Sequence, residues 1–394
     1  AEKIGKRGIN MRVGVCDFNQ DRLKSARLGR GLTQTALAEL IGRSTASLSK
    51  WESGAQKPET EAVQALSRVL GFPPDWFIRT PMPDAAASPA FFRSMAGATK
   101  ATRERLSGQL AWLHEISMLL QEEVELPAVN VPQSNKHFLR LGDDDIEAMA
   151  GQVRAAWGLG EGPVAHVLRA MESAGIVCAR ISAGDRKLDG VSIWIAERPY
   201  VLITDDKDNP YRNRFDAAHE LAHLVLHRHV TQDEFKLHLK QIEEQANRFA
   251  GAFLLPAKNF AATVHLRRFD LDSLALLKQR WKTSVAAMIV RSKQLDIISA
   301  ERATRLWKSY SARGWRRGEP GDDVAVFEQQ TLLPDSIKLL LQEGICSKEG
   351  LEEWLGFARA DIERLCGLEE GYLCPEPAPP AVTVRHPPYL RIVK

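Results

Sequence analysis

The segment RFDAAHELAHLVLHRHV, Arg214 to Val230, holds four of the chain's ten histidines within eleven residues. Phe215, Leu221, Ala222, Leu224 and Val225 give it an apolar face at helical spacing. Asn209-Pro210 just upstream is a start signal, with proline suited to the first turn. Residues four apart on a helix share a face, so His219 and His223 offer two imidazoles to one tetrahedral Zn²⁺. Glu220 lies one position round the helix, within reach of a water there but off the ligand stripe. That is where a general base belongs. The spacing implies a zinc cofactor and leaves a third ligand to be found.

His229 stands ten residues after His219, where the metzincin pattern H-E-x-x-H-x-x-G-x-x-H has its third histidine. That pattern needs Gly to break the helix, and Leu226 occupies the position. A continuing helix would carry His229 about 9 Å along the axis from His223, and His227 about 6 Å, which suits His227 to a rim or supporting place. A second candidate helix is QIEEQANRFAGAFLLP, Gln241 to Pro256, with apolar Ile242, Ala246, Phe249, Ala250 and Phe253. In the gluzincin arrangement a glutamate from a separate helix completes the site. Glu243 is the expected ligand. Asn247, four residues on and on the same face, is expected to accept the other ring N–H of a histidine. Glu244 points about 100° away and is the fallback.

The N-terminal stretch from Phe18 to Phe77 reads as four short helices punctuated by Gly29–Gly31, Gly42 and Gly54. Thr33 and Ser44 look like N-caps, and Leu37, Leu40 and Ile41 recur at helical spacing. Two small-residue helices joined by a short turn containing Gly follow helix-turn-helix grammar. From Arg22 to Lys57 there are seven Lys/Arg against two acids, a local basic footprint in a chain of net charge +3. The motifs L-T-Q-x-x-L-A and S-x-x-x-W-E-x-G resemble the Cro/phage-repressor (Xre-type) helix-turn-helix family. That resemblance implies duplex operator DNA as partner, with Gln34 near the backbone or bases. Ser44, Thr45, Ser47, Ser49 and Lys50 fall on the helix that would enter the groove.

Composition, 44% hydrophobic and 26% charged over 394 residues, predicts an ordinary globular chain of two to four domains. No apolar run reaches the roughly 18–20 residues that span a bilayer, so no membrane partner is expected. Cys16, Cys178, Cys346, Cys366 and Cys374 are scattered and form no C-x-x-C, which points to the reducing cytoplasm and away from cysteine metal sites.

The expected fold is multidomain and mainly α with a small α+β part. Residues 1–17 read as a leader or extension and 18–80 as the helix-turn-helix bundle. Residues 81–140 comprise a linker at PMPDAAASP and a long helix over Ala101–Val124, whose leucine stripe suits core or a dimer seam. Residues 141–265 form a gluzincin-like domain with a small antiparallel sheet, Val191–Ile195 and Tyr200–Asp205 making a hairpin, beside the histidine helix. An edge strand there would accept an extended peptide. Residues 266–325 are helical, with helices over Leu271–Leu295 and Glu301–Tyr310 and a basic, aromatic Trp315-Arg316-Arg317 turn that suits solvent or a second DNA contact. Residues 326–394 are a small helical domain (Leu333–Gly344, Lys348–Leu368) and a Pro-rich tail.

Taken together, RFDAAHELAHLVLH, EEQANRFAGAFLLP and the less specific WKTSVAAMIVRSKQLDIIS…GWRRGEP resemble the ImmA/IrrE family of zinc metallopeptidases fused to an Xre-type domain, over most of residues 18–320. The resemblance implies a stress- or DNA-damage-responsive regulator with a protein substrate: a neighbouring repressor, a partner subunit or the chain itself. It leaves open homodimerisation and activation by single-stranded DNA or another signal. The competing expectations are a non-proteolytic sensor whose zincin-like domain binds a ligand or partner, and an antitoxin-like component of a toxin–antitoxin pair.

Overall fold

The structure, a computed structural model, describes residues 14–80, 99–182, 188–204, 206, 209–265 and 269–374. The extension at residues 1–13, the Pro81–Pro89 linker, Asp205 and the Pro-rich tail from Pro375 lie outside the described residues.

Local signals set the first helices. The Asn19 side chain caps α1 (Gln20–Gly29), Thr33 caps α2 (Gln34–Leu40) and Ser44 caps α3 (Thr45–Glu52). Each such cap satisfies an orphan N–H and contributes about 1 kcal/mol. α4 (Thr60–Leu70) ends at Gly71, whose φ of 71° favours glycine. Leu23, Leu37, Leu48, Trp51 and Leu66 form the bundle's core. Leu40, grouped with Leu37 by its spacing, is 59% exposed, because α2 lies at the surface and buries only Leu37 and Ala38.

The leucine stripe of α5 (Lys100–Leu120) is core within this chain and not a dimer seam. Leu106, Leu110, Leu113, Ile116 and Leu120 are fully buried. α5 crosses α1 where two glycines meet, since a Cβ on Gly108 would stand 2.5 Å from the Gly29 nitrogen. Close by, Arg22 Nη1 donates to both oxygens of Glu115, at 2.7 and 2.6 Å. Both side chains are buried, and losing either would strand a charge at a cost of about 3–5 kcal/mol.

Next come α6 (Asp143–Ala156), α7 (Val167–Ser173), β1 (Val177–Ile181), β2 (Gly190–Ile195) and β3 (Arg198–Thr204). β2 and β3 form the expected antiparallel hairpin, turning at Ala196. β1 joins β3 in parallel, giving the order β1-β3-β2. The sheet is therefore mixed and not antiparallel throughout, because β3 inserts between the two strands that precede it. Its faces alternate residue by residue. Val177, Val191, Ile193, Tyr200 and Leu202 join the core containing α1–α5, whereas Cys178, Trp194, Val201 and Ile203 join a second core. Burial on both faces explains why these strands read as nearly continuous apolar runs.

The second core gathers α6 and α7 with α8 (Pro210–Leu226), α9 (Gln232–Leu254), α10 (Ala257–His265), α11 (Leu271–Trp281), α12 (Val285–Gln294) and α13 (Ala300–Ala312). The stretch read as helical over Leu271–Leu295 is made of two helices, because Lys282 adopts φ 50° and Ser284 caps a new start. The chain then returns as α14 (Leu332–Gln342), α15 (Lys348–Leu355) and α16 (Arg359–Cys366). The helical stretch Lys348–Leu368 is likewise two helices, parted at Gly356 with φ 73°. These last helices dock on the N-terminal bundle. Arg30 makes a forked pair with Asp361 at 2.7 and 2.5 Å. Arg79 Nη1 donates to the carbonyls of Trp354 and Leu355. Phe357 packs among Phe72, Trp76 and Trp112, with ring centroids 5.6, 6.2 and 6.3 Å away. No helix among the described residues is long and apolar enough to cross a membrane.

Candidate metal centre

α8 starts where its cap predicts, with the Asn209 side chain accepting the Arg212 N–H at 2.9 Å. It packs on the sheet through Leu221 and Val225, and the Trp194 indole N–H donates to the Leu224 carbonyl at 3.2 Å. The helix stops at Leu226 without glycine. The expectation that Leu226 prolongs it is thus corrected: the chain must turn at once to begin α9, whose start is fixed by a Thr231–Glu234 capping box. This turn leaves His229 exposed and outside the histidine–glutamate cluster.

α9 kinks at His238 and brings Glu243 to the two histidines. His219 Nε2 lies 3.1 Å from His223 Nε2 and 3.2 Å from Glu243 Oε2, and His223 Nε2 lies 3.7 Å from Glu243 Oε1. Ligands about 2.0–2.1 Å from a tetrahedral zinc stand about 3.3–3.4 Å apart, so the three donors fit one face of that tetrahedron. Electrostatics agree. Burial works to lower the His219 pKa, yet Glu243, Glu220 and Asp216 together raise it to about 9. A pocket that stabilises positive charge among three donors suits a divalent cation. Glu244 is exposed beside Lys240, away from the cluster.

The hydrogen bonds behind His223 fix its tautomer. Gln245 Nε2 donates to the Phe138 carbonyl at 2.7 Å, so its Oε1 faces inward and accepts from His227 Nε2 at 3.0 Å. A neutral His227 with its proton on Nε2 has a bare Nδ1, which accepts from His223 Nδ1 at 3.0 Å. His223 Nε2 then presents its lone pair on the side of His219 and Glu243. His223, His227 and Gln245 are all buried. Asn247 does not do this work. It is exposed at the cleft, and its amide donates to the Glu243 carbonyl at 2.8 Å instead of meeting a histidine ring. One turn beyond Glu243, it lies past the rings that the sequence expected it to support.

Glu220 is buried beside β2, where its Oε2 accepts the Ser192 hydroxyl at 2.6 Å. Burial raises its pKa to about 7, against the opposing pull of His219 and of the Ser192 hydrogen bond. A Cβ at position 190 would stand 2.9 Å from Glu220 Cγ, so only glycine lets the acid lie against the strand. Neither Ser192 nor Gly190 was foreseen. The available signal was a lone hydroxyl in the apolar run VSIWI. β2 is an edge strand of the sheet; its six residues are buried, and Gly190 at its start lines the cleft beside Glu220.

The metal-side residues open into a cleft of about 680 Å³. Its opposite wall is built by α12, α13 and the following turn, including Trp307, Trp315, Arg316 and Arg317. The sequence had offered this turn to solvent or to DNA.

In the N-terminal bundle, Ser44, Thr45, Ser49 and Lys50 are exposed and Ser47 is half-buried. Ser44 Oγ accepts the Ser47 N–H at 3.1 Å, and the two hydroxyls are 2.9 Å apart. Gln34 Nε2 donates to Glu52 Oε2 at 2.7 Å, and Arg27 grips the same carboxylate. The C-terminal helices dock through Arg30, Phe72 and Arg79, and the polar face of α3 remains exposed.

Residues 23–77 match the helix-turn-helix family model, and residues 171–293 match the Peptidase M78 family, described as the IrrE N-terminal-like domain. No curated protein matches the chain. The chain therefore joins an Xre-type helix-turn-helix domain to an ImmA/IrrE-like domain of a metallopeptidase family.

Proposed function

We propose that this chain, a helix-turn-helix domain joined to an IrrE-like domain, is a cytoplasmic DNA-binding transcriptional regulator with a zinc-dependent endopeptidase activity. Its substrate is a regulatory protein, either a partner repressor or the chain itself, cleaved in response to stress or DNA damage. The observation carrying the proposal is Glu220, a buried carboxylate held by the Ser192 hydroxyl immediately beside three converging metal donors. A structural metal site has no use for such a base.

His219, His223 and Glu243 would hold Zn²⁺, which when bound supplies Lewis acidity toward the scissile carbonyl and an attacking water. Ser192 fixes one oxygen of Glu220 and leaves Oε1 to take the proton from that water. Glu220 then delivers the proton to the leaving amine, and a pKa near 7 suits both transfers. α3 would enter the major groove of the operator, with Ser44, Thr45, Ser47, Ser49 and Lys50 on the DNA side and Gln34 at its flank. The buried edge of β2 favours a peptidase that is latent until a signal such as single-stranded DNA arrives. It equally favours the second reading, a DNA-binding sensor that does not cleave.

One experiment separates these. Purified protein should carry about one zinc, lost in Glu243→Ala and kept in Glu244→Ala and His229→Ala. Incubated with proteins of its own operon, with and without single-stranded DNA, it should yield a defined fragment by mass spectrometry. Glu220→Gln should keep zinc and DNA binding and lose that fragment by at least about a hundredfold in rate. Undiminished cleavage in Glu220→Gln refutes the mechanism, and absence of a fragment under every trigger favours the sensor.

A further inference from the structure

The cleft has two chemically different walls. On the metal side stand Asp216, Glu220 and Glu243; on the other stand the half-buried Trp307 and Trp315 and the exposed Arg316 and Arg317. The far wall is braced from behind. Glu319, buried at the end of the turn, accepts the N–H groups of Val285 and Ala286 at 2.8 and 2.9 Å and the Tyr310 hydroxyl at 2.9 Å, and pairs with Lys278 at 3.0 Å. Asp322 ties the same turn to the cap of the metal helix, accepting from Asn209 Nδ2 at 2.9 Å. Trp307, Tyr310 and Trp315 form an edge-to-face ladder with centroids 5.3 and 5.8 Å apart.

On this rigid frame the two arginines are barely used internally. The Arg316 side chain donates only its Nε, to Ser311 Oγ at 2.7 Å; the Arg317 backbone N–H donates to the Gly314 carbonyl at 3.0 Å, and among the described residues no hydrogen bond or ion pair engages its guanidinium. Two available guanidinium forks beside two partly exposed indoles complement a carboxylate next to a bulky apolar side chain.

We propose that the Trp307–Arg317 wall is a recognition surface for a peptide segment carrying an acidic side chain close to an aromatic or large aliphatic one. The acid engages Arg316 and Arg317, the apolar residue lies on Trp307 and Trp315, and the segment crosses the cleft toward Glu220. This deepens the peptidase reading and takes from it the idea that the cleft holds polypeptide.

The test uses full-length Glu220→Gln protein, so that binding is read without turnover. Two fluorescent peptides of one scaffold are compared by anisotropy, one with Leu-Glu-Glu and one with Leu-Lys-Lys at its centre. The acidic peptide should bind about tenfold more tightly at low salt, the scale of two partly enclosed ion pairs. Added Arg316→Glu and Arg317→Glu changes should abolish or reverse that preference while zinc content and duplex-DNA affinity hold. Arg316→Lys with Arg317→Lys should retain most of it. Equal binding, no binding of either peptide, or charge reversal that weakens DNA binding instead would each overturn the inference. If wild-type protein, with and without single-stranded DNA, fails to cut the acidic peptide that Glu220→Gln binds selectively and yields no fragment from the proteins of its operon, proteolysis fails as the function and the recognition surface stands.

Discussion

Replacing Gln245 with Leu should weaken zinc binding although Gln245 never touches the metal position. Its side chain is anchored at 2.7 Å to the Phe138 carbonyl and aims its oxygen at His227, 3.0 Å away. Without that acceptor His227 is free to carry its proton on Nδ1, facing His223 Nδ1 at 3.0 Å. His223 must then place its own proton on Nε2, the atom beside Glu243, and the lone pair needed for a metal is gone. Groups that orient metal-binding histidines typically contribute 10- to 100-fold in affinity, or about 1.4–2.7 kcal/mol. Competition against a chromogenic chelator would measure it, with thermal melts checking that the fold persists. Asn247→Ala, whose amide only meets the Glu243 carbonyl, should change affinity less than about threefold. A Gln245→Leu variant within twofold of the parent, or an Asn247→Ala variant weaker than it, would refute the relay.

Other consequences are as direct. Lys50→Glu should weaken duplex-DNA binding and lower the dependence of log K on log salt by about one for the lost phosphate contact; an unchanged slope in gel-shift titrations would remove Lys50 from the interface. Phe357→Ala empties a fully buried ring site shared by the first bundle and the last helices, and should cost about 3–5 kcal/mol in urea unfolding followed by tryptophan fluorescence. A loss below about 1 kcal/mol would mean the two ends of the chain do not share a core. His114, buried against Tyr200, has its pKa lowered by burial to about 4 from an ordinary 6.5. The unfolded chain therefore binds that proton first, and stability present above pH 6.5 falls as pH drops toward 4, by about 2–3 kcal/mol from this residue. The decline between pH 6.5 and 4 should be shallower in His114→Gln; an identical slope would show that His114 protonates freely in the folded state.

Some corrections share a cause. The leucine stripe of α5 was legible as buried, but a stripe does not say what covers it, and α1 and the sheet do so here. His229 was set aside on the premise of a continuing helix, yet α8 ends at Leu226 and the turn itself removes the histidine. Asn247 shares a helical face with Glu243, but sharing a face does not fix which atoms meet across two helices. That depends on how α8 and α9 pack, and the packing delivers Gln245 and His227 to His223.

By itself the sequence determined what local physics controls. Asn19, Thr33, Ser44 and Asn209 mark helix starts because a capping side chain acts within three residues. His219 and His223 converge because the helical repeat places residues four apart on one face. Tertiary structure decided whatever joins distant segments: Glu243 beside the histidines, Ser192 on Glu220, the Trp315–Arg317 turn as a cleft wall, and Arg30 on Asp361 across 331 residues of chain. No residue spacing encodes those meetings. They arise when helices and sheet bury their apolar faces together, and the polar groups carried along find partners only in the packed chain.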